Sequence, residues 1–239
     1  LVVSKTSDFD SLELKMIFIE CLIKEARKRK WWLNFCAPEL EQSDICHQRL
    51  IDFGMRFRKR GSEWGSIRIS LEREEQEIMK GLKGKWRNLL RKAQKSGLKI
   101  SAEDTREERI DELIDFYQNI QKKRDFKGIS SELLATLAEQ EGGAWKFDQF
   151  VARDPGTSEI HGVLVSVTHG DSATYLIGNT NEKGRKTNAN YLLLWHAIID
   201  SKNAGCKWFD LGGLTAKTPK GIRHFKEGLG GVSYTNCGE

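Results

Sequence analysis

An α/β fold, with a mixed sheet flanked by helices, is predicted by three observations on this 239-residue chain. Short runs rich in β-branched and aromatic residues, at 64–71, 160–168 and 208–211, alternate with longer stretches of helical period such as 9–30 and 108–121. Turn signals at Asp154-Pro155-Gly156 and Gly170-Asp171 divide residues 145–177 into three successive strands, 145–152, 160–168 and 173–177, which read as a meander. A 38% hydrophobic content suffices for a sizeable core in one or two domains.

Each element has its own justification. In the first helix Leu12, Met16, Ile19, Leu22 and Ile23 recur at helical spacing, while Lys24, Arg27, Lys28, Arg29 and Lys30 crowd the end where cations suit the helix dipole. A strand at 31–36, a helix at 47–53 and a strand at 64–71 follow. Residues 72–96 read as a long helix or a helix-turn-helix, with Gly97 as its C-cap. Helices at 108–121 and 130–140 precede the meander, and an apolar helix containing His196 follows it. The chain then returns to a buried strand carried by Trp208, Phe209 and Leu211. A last helix opens at Pro219, with Ile222 and Phe225 on one face at i, i+3 and Lys226 beside it.

The charge balance, 39 Lys+Arg against 34 Asp+Glu, is compatible with an anionic partner. No apolar run approaches the ~20 residues of a membrane-spanning helix and no secretory leader pattern opens the sequence, so a cytoplasmic location is expected. Cys21, Cys36, Cys46, Cys206 and Cys237 are scattered without a C-x-x-C, which predicts reduced thiols and no metal site.

Chemistry-bearing residues gather in two places. Lys80, Lys83, Arg87 and Arg91 fall on one face of an uninterrupted helix, with Trp86 beside them available for base stacking. That pattern suits an RNA backbone; the competing reading is a solvated amphipathic helix. In the segment from 205 to 231, Asp210 closes the buried strand where a carboxylate reaches loop amides, and Gly212 and Gly213 allow close backbone approach to a ligand. Lys226, held next to the ring of Phe225, is placed to stabilise a developing oxyanion. No G-x-S-x-G elbow or cysteine nucleophile signature occurs. His161, His169 and His196 read as packed or surface residues, and His224 remains open as a general base.

Four stretches resemble the Fem family of aminoacyl-tRNA-dependent peptidyltransferases, which adopt paired acetyltransferase-like (GNAT) domains. They are residues 83–97; Phe116-Tyr117 with Lys123-Arg124-Asp125-Phe126; 175–178 running through Arg185 to 195–198; and 209–213 with Phe225-Lys226. Together they span residues 64–231. The resemblance implies a GNAT-like transferase domain over 71–239, preceded by a partial second GNAT-like subdomain over 1–70. Fem-type proteins carry a longer first domain and this chain opens on Leu1, so the N-terminal portion is expected to be missing or reduced.

By the same resemblance, Lys226 neutralises the tetrahedral intermediate and Phe225 positions the donor. Arg124 binds a precursor phosphate, with Lys123 or Lys127 as substitutes. Tyr175 contacts the acceptor, Asp210 orients loop amides or accepts a proton, and Lys83, Arg87 and Arg91 meet the RNA. The implied co-substrate is aminoacyl-tRNA, the acceptor a peptide such as a peptidoglycan precursor, and no cofactor is required. Coenzyme A fits less well. Its usual Gln/Arg-x-x-Gly-x-Gly/Ala loop is replaced by Arg185-Lys186-Thr187-Asn188-Ala189-Asn190, although Arg185 and Lys186 can still hold phosphate charge. Two alternatives stay open: an acyl-CoA-dependent N-acyltransferase, and a non-catalytic relative that binds RNA or protein.

Overall fold

Five stretches, 12–31, 40–56, 64–103, 107–140 and 145–237, are described by the structure, a computed structural model. They fall into two compact units, one of residues 1–66, 213–219 and 233–239, the other of 67–212 and 220–232. The smaller unit is therefore built from three separated pieces of chain. Its first helix, α1 (Leu12–Lys28), turns Met16 and Ile19 inward against α2 (Asp44–Asp52), where Leu40, Cys46, Leu50 and Cys237 complete a small core. Ser43 caps α2 by accepting from the Cys46 N–H, satisfying one of the helix's orphan donors. The expected strand at 31–36 lies outside the described residues except for Trp31.

Seven strands among the described residues form one sheet. The strand order is β2-β3-β4-β5-β6-β1-β7, where β1 is Gly65–Ser70, β2 Lys99–Glu103, β3 Trp145–Arg153, β4 Ile160–His169, β5 Ser172–Thr180, β6 Trp208–Asp210 and β7 Val232–Thr235. The β2–β3, β3–β4, β4–β5 and β1–β6 ladders are antiparallel, whereas β5 and β6 run parallel. The meander thus joins β6, the strand that follows it, in the same sense.

Alternation along β4 assigns the two faces of the sheet. Val163, Val165 and Val167 pack with Leu113 and Tyr117 of α5 (Glu107–Arg124) and Leu134 of α6 (Ser131–Glu139). Gly162 faces the other way, where a Cβ would lie 3.1 Å from Leu193 of α8 (Ala189–Asn203). That helix is apolar on most sides because it is covered on most sides: Leu192, Leu193, Leu194, Trp195, Ala197 and Ile198 are all buried. Within that apolar run His196 is exposed.

Of the two readings of 72–96, a long helix or a helix-turn-helix, the second is found, as α3 (Glu75–Gly81) and α4 (Gly84–Gln94). Leu82 and Lys83 between them are extended, and Leu82 is buried, so the chain turns inward for one residue before the second helix starts. Gly97 adopts φ +79 just beyond α4, the left-handed setting a helix end favours. Three short elements carry little signal in the sequence: β2, the five-residue α7 (Glu182–Lys186) and β7. Among the described residues no helix is long and apolar enough to cross a membrane.

Candidate active site

The parallel β5–β6 ladder ends at the pair Thr174↔Asp210, and the groups that gather there belong to the larger unit. Asp210 accepts a 2.7 Å hydrogen bond from the Gly212 N–H, which folds the chain back on itself after β6. Gly212 has φ +69, and a Cβ there would meet the Tyr175 carbonyl oxygen at 2.7 Å, so only glycine fits between the two strands. The close approach expected of this glycine is made to the protein's own backbone.

Into this corner reaches Lys226 of α9 (Lys220–Glu227). Its ammonium donates to the Gly212 carbonyl at 3.0 Å and lies 5.7 Å from the centre of the Tyr175 ring. The residue is 7% exposed, which is unusual for lysine. Burial lowers its pKa to about 8, with the Asp210 carboxylate opposing the shift. Burial also raises the Tyr175 phenol well above its ordinary value. Asp210 is thus both the turn-former and the nearby counter-charge.

The depressed lysine pKa has a thermodynamic signature. Between pH 8 and 10.5 the folded protein has released this proton while the unfolded chain still holds it, so stability rises with pH across that window. The rise attributable to Lys226 is about 3 kcal/mol at most, at 1.36 kcal/mol per unit. Denaturant titrations at pH 7.5 and 10, compared with Lys226→Met, are expected to show the wild type gaining on the variant as pH rises. An unchanged gap would mean that the ammonium is solvated.

The sequence pattern puts Ile222 and Phe225 on one face of the last helix with Lys226 beside it, and in the structure burial falls on the lysine. Ile222 is 48% exposed, Phe225 is half-buried and the lysine is the buried residue of α9. His224 is exposed and two positions from Lys226, so it does not share the lysine's side of the helix. Phe225 packs against Trp86 and Tyr191 at ring-centre distances of 5.9 and 5.1 Å.

Trp86 corrects the sequence reading. It is 3% exposed, its ring lies 4.9 Å from that of Tyr191, and its indole N–H donates to the Phe225 carbonyl at 3.1 Å. It is therefore not available to stack on an RNA base. The signal was present in the spacing, because Trp86, Leu90 and Ala93 at i, i+4, i+7 define the buried face of α4. The basic residues do not form one continuous face either, because the extended Leu82-Lys83 link separates Lys80 on α3 from Arg87 and Arg91 on α4. Lys83 and Arg91 are exposed, and Arg87 donates to the Lys80 carbonyl at 3.0 Å.

At the far end of β5, Arg124 closes α5 and donates to the Thr180 carbonyl at 2.6 Å. Burial lowers its pKa, and so does the positive charge of Arg185 on α7. Two guanidinium groups from different helices are thus close enough to repel, which favours an anion beside them. Thr180 is five residues along β5 from Tyr175, about 16 Å of strand, so the arginine pair and the lysine lie at different points along β5. Gly213 belongs to the smaller unit, where a Cβ would meet the Trp64 indole nitrogen at 2.7 Å.

The backbone at the expected coenzyme A loop keeps a glycine-like setting without glycine. Asn188 has φ +59 at the N-cap of α8, a left-handed conformation that asparagine tolerates. Among the described residues no cluster of histidine, cysteine and carboxylates could hold a metal ion.

The family model described as an acetyltransferase (GNAT) domain matches residues 79–227. Among solved structures, the crystal structure of FemX superposes with a TM-score of 0.78 at 13% identity, covering 97% of this chain and 77% of that one. The C-terminal domain of a putative lysylphosphatidylglycerol synthetase from Agrobacterium fabrum gives a TM-score of 0.61 at 14% identity, over 95% of this chain and 73% of that one. L-PGS from Bacillus licheniformis gives 0.60 at 16% identity, over 94% and 72%. At these identities the likeness is one of fold, and the fold is Fem-like. Comparison of the sequence with curated proteins finds no match.

Proposed function

Because the chain belongs to the acetyltransferase (GNAT) domain family, we propose that it is an aminoacyltransferase which moves an amino acid from the 3′ end of an aminoacyl-tRNA to an amine of a peptide acceptor, such as a peptidoglycan precursor. The observation that carries this reading is the buried Lys226 ammonium at the end of the β5–β6 ladder. The fold shared with FemX and with proteins named for making an aminoacylated lipid supports aminoacyl rather than acetyl transfer. So does the substitution of both glycine positions in the coenzyme A loop by Asn188 and Asn190.

In the proposed reaction the acceptor nitrogen attacks the ester carbonyl, the N–C bond forms, and negative charge develops on the carbonyl oxygen. Lys226, as an ammonium, donates a hydrogen bond to that oxygen in a water-poor corner where the interaction is strong. The intermediate collapses by breaking the ester C–O bond, and the proton lost by the amine leaves on the 3′ oxygen of the ribose. No covalent enzyme intermediate and no cofactor are needed. Phe225 holds the helix that presents the lysine, Tyr175 lines the acceptor side, and Asp210 keeps the Gly212 turn closed. Arg124 and Arg185 take the phosphate charge of the acceptor. Lys83, Arg87 and Arg91 meet the RNA backbone of the donor.

Incubation of the protein with a pool of charged tRNAs and amine acceptors, with and without ribonuclease, tests the reading directly. Transfer that disappears after nuclease treatment is expected; transfer that survives it, or that requires acetyl-coenzyme A instead, overturns the proposal. Binding to uncharged tRNA gives a separate check on the basic helix. Changing Arg87 and Arg91 to alanine is expected to lower the slope of log K against log salt by about 1 per residue. A slope that does not move would remove α4 from the RNA interface.

A further inference from the structure

We propose that Trp86 is a positioning residue for Lys226: its indole N–H and ring fix α9 in the seating that places the ammonium between Gly212 and Tyr175. The proposal rests on the reading of Lys226 as the oxyanion donor, and it concerns how that donor is kept in a place it would otherwise leave.

The need for such a residue follows from α9 itself. It has eight residues, well below the ~12–15 at which an isolated helix holds its own shape in water. Ile222 and Lys226 share one face at i, i+4, and the composition of that face favours pressing its isoleucine end inward and leaving the ammonium in solvent, because burial of an aliphatic group is favourable and burial of an ammonium is not. The observed seating is the reverse along the helix axis: the Ile222 end of the face is exposed and the Lys226 end is buried. Contacts elsewhere on the helix must therefore outweigh this preference.

Those contacts come from the start of α4. The last carbonyls of a helix have no partner within it, and two near the end of α9 are satisfied from α4. The Trp86 indole donates to the Phe225 carbonyl at 3.1 Å, and the Lys83 backbone N–H donates to the Gly228 carbonyl at 2.8 Å. The Trp86 ring also packs between Phe225 and Tyr191, at 5.9 and 4.9 Å. Gly228 is matched to it, since a Cβ there would lie 2.5 Å from Trp86 Cδ1. Phe225 immediately precedes the lysine, so a donor fixed on its carbonyl controls the direction in which Lys226 leaves the helix.

The test uses two readouts, one of which needs no substrate. The lysine side-chain resonances of wild type and Trp86→Phe are titrated by NMR, with the Lys226 signal assigned by its loss in Lys226→Met. The ionisable groups beside this ammonium are Asp210 on β6 and Tyr175 on β5, and both are retained. Trp86→Phe keeps a single ring at this position and removes the indole N–H together with part of the buried ring volume, so the fraction folded is measured beside both readouts. The variant is expected to move the Lys226 midpoint upward from about 8 towards the ordinary lysine value, and to lower kcat by about 10- to 100-fold with little change in KM. The basic limb of the pH–rate profile should move with the NMR midpoint. An unmoved midpoint overturns the proposal, and so does a fall in activity that only tracks the fraction unfolded. Should Trp86→Phe not fold, Gly228→Ala displaces the same indole from the opposite side and is read in the same two ways. If the wild type shows no transfer at all, the functional reading fails while the NMR comparison still decides the role of Trp86.

Discussion

Lys226→Met is expected to lower the rate of transfer by about 10²- to 10³-fold, the range found when a single oxyanion donor is removed, without loss of the fold. The two effects separate because the ammonium is unfavourable for folding. Moving its pKa from 10.5 to about 8 corresponds to about 3 kcal/mol of desolvation at 1.36 kcal/mol per unit. Methionine fills a similar volume and removes that penalty, while the Gly212 carbonyl loses its donor at a cost of about 1–3 kcal/mol. The melting temperature of the variant at pH 7 is therefore expected to equal the wild-type value or to exceed it by a few degrees. Calorimetry beside a single-turnover assay reads both quantities. A variant that retains wild-type turnover would remove Lys226 from the chemistry; one that unfolds would make the residue structural.

The second large effect is structural and concerns α7, which carries Arg185. Gly184 sits inside α7 with ordinary helical φ, where intrinsic propensity favours alanine by about 1 kcal/mol. Packing reverses that preference: a Cβ would overlap the carbonyl oxygen of His161 and approach Thr180 Cβ to 3.1 Å. The helix cannot move aside freely. Asn181 accepts from the Gly184 N–H at 2.8 Å, donates from its side chain to the Ile160 carbonyl, and donates from its backbone to the His161 carbonyl at 3.1 Å. Gly184→Ala is expected to destabilise the protein by about 3 kcal/mol, at the upper end of overpacking costs. For a chain of this size that lowers the melting point by about 6–12 °C. Because Arg185 is the next residue, the surviving folded protein should also bind a phosphate-bearing acceptor more weakly. A melting point within about 2 °C of wild type would show that α7 is loosely held.

The meander and its flanking helices are legible from sequence because their signals are local. Strands β3, β4 and β5 alternate or run apolar between Gly and Pro turns, and α1, α2, α5 and α6 repeat their apolar residues at helical spacing. The strand β2 escapes because a five-residue edge strand with Ile100 as its one β-branched residue carries almost no apolar pattern. A break within 72–96 is one of the two sequence readings, but its position escapes because Leu82 and Lys83 are acceptable helix formers, and Leu82 is buried in the extended link. Trp86 is misassigned when its aromatic character is weighed above its spacing with Leu90 and Ala93.

What the sequence alone determines is the set of chemical groups and their order: a meander, an apolar helix, a strand closed by Asp210, a pair of glycines and a Phe-Lys dipeptide. Local periodicity and turn chemistry specify these without reference to distant residues. The seating of α9 is decided only by the tertiary structure. Ile222 and Lys226 share one face at i, i+4, and the pattern alone favours burying the isoleucine end; in the structure the lysine end is the buried one, beside a Phe225 carbonyl bonded to a tryptophan 139 positions earlier. An eight-residue helix has too little intrinsic stability to choose which end it buries, so the helix it packs against chooses for it.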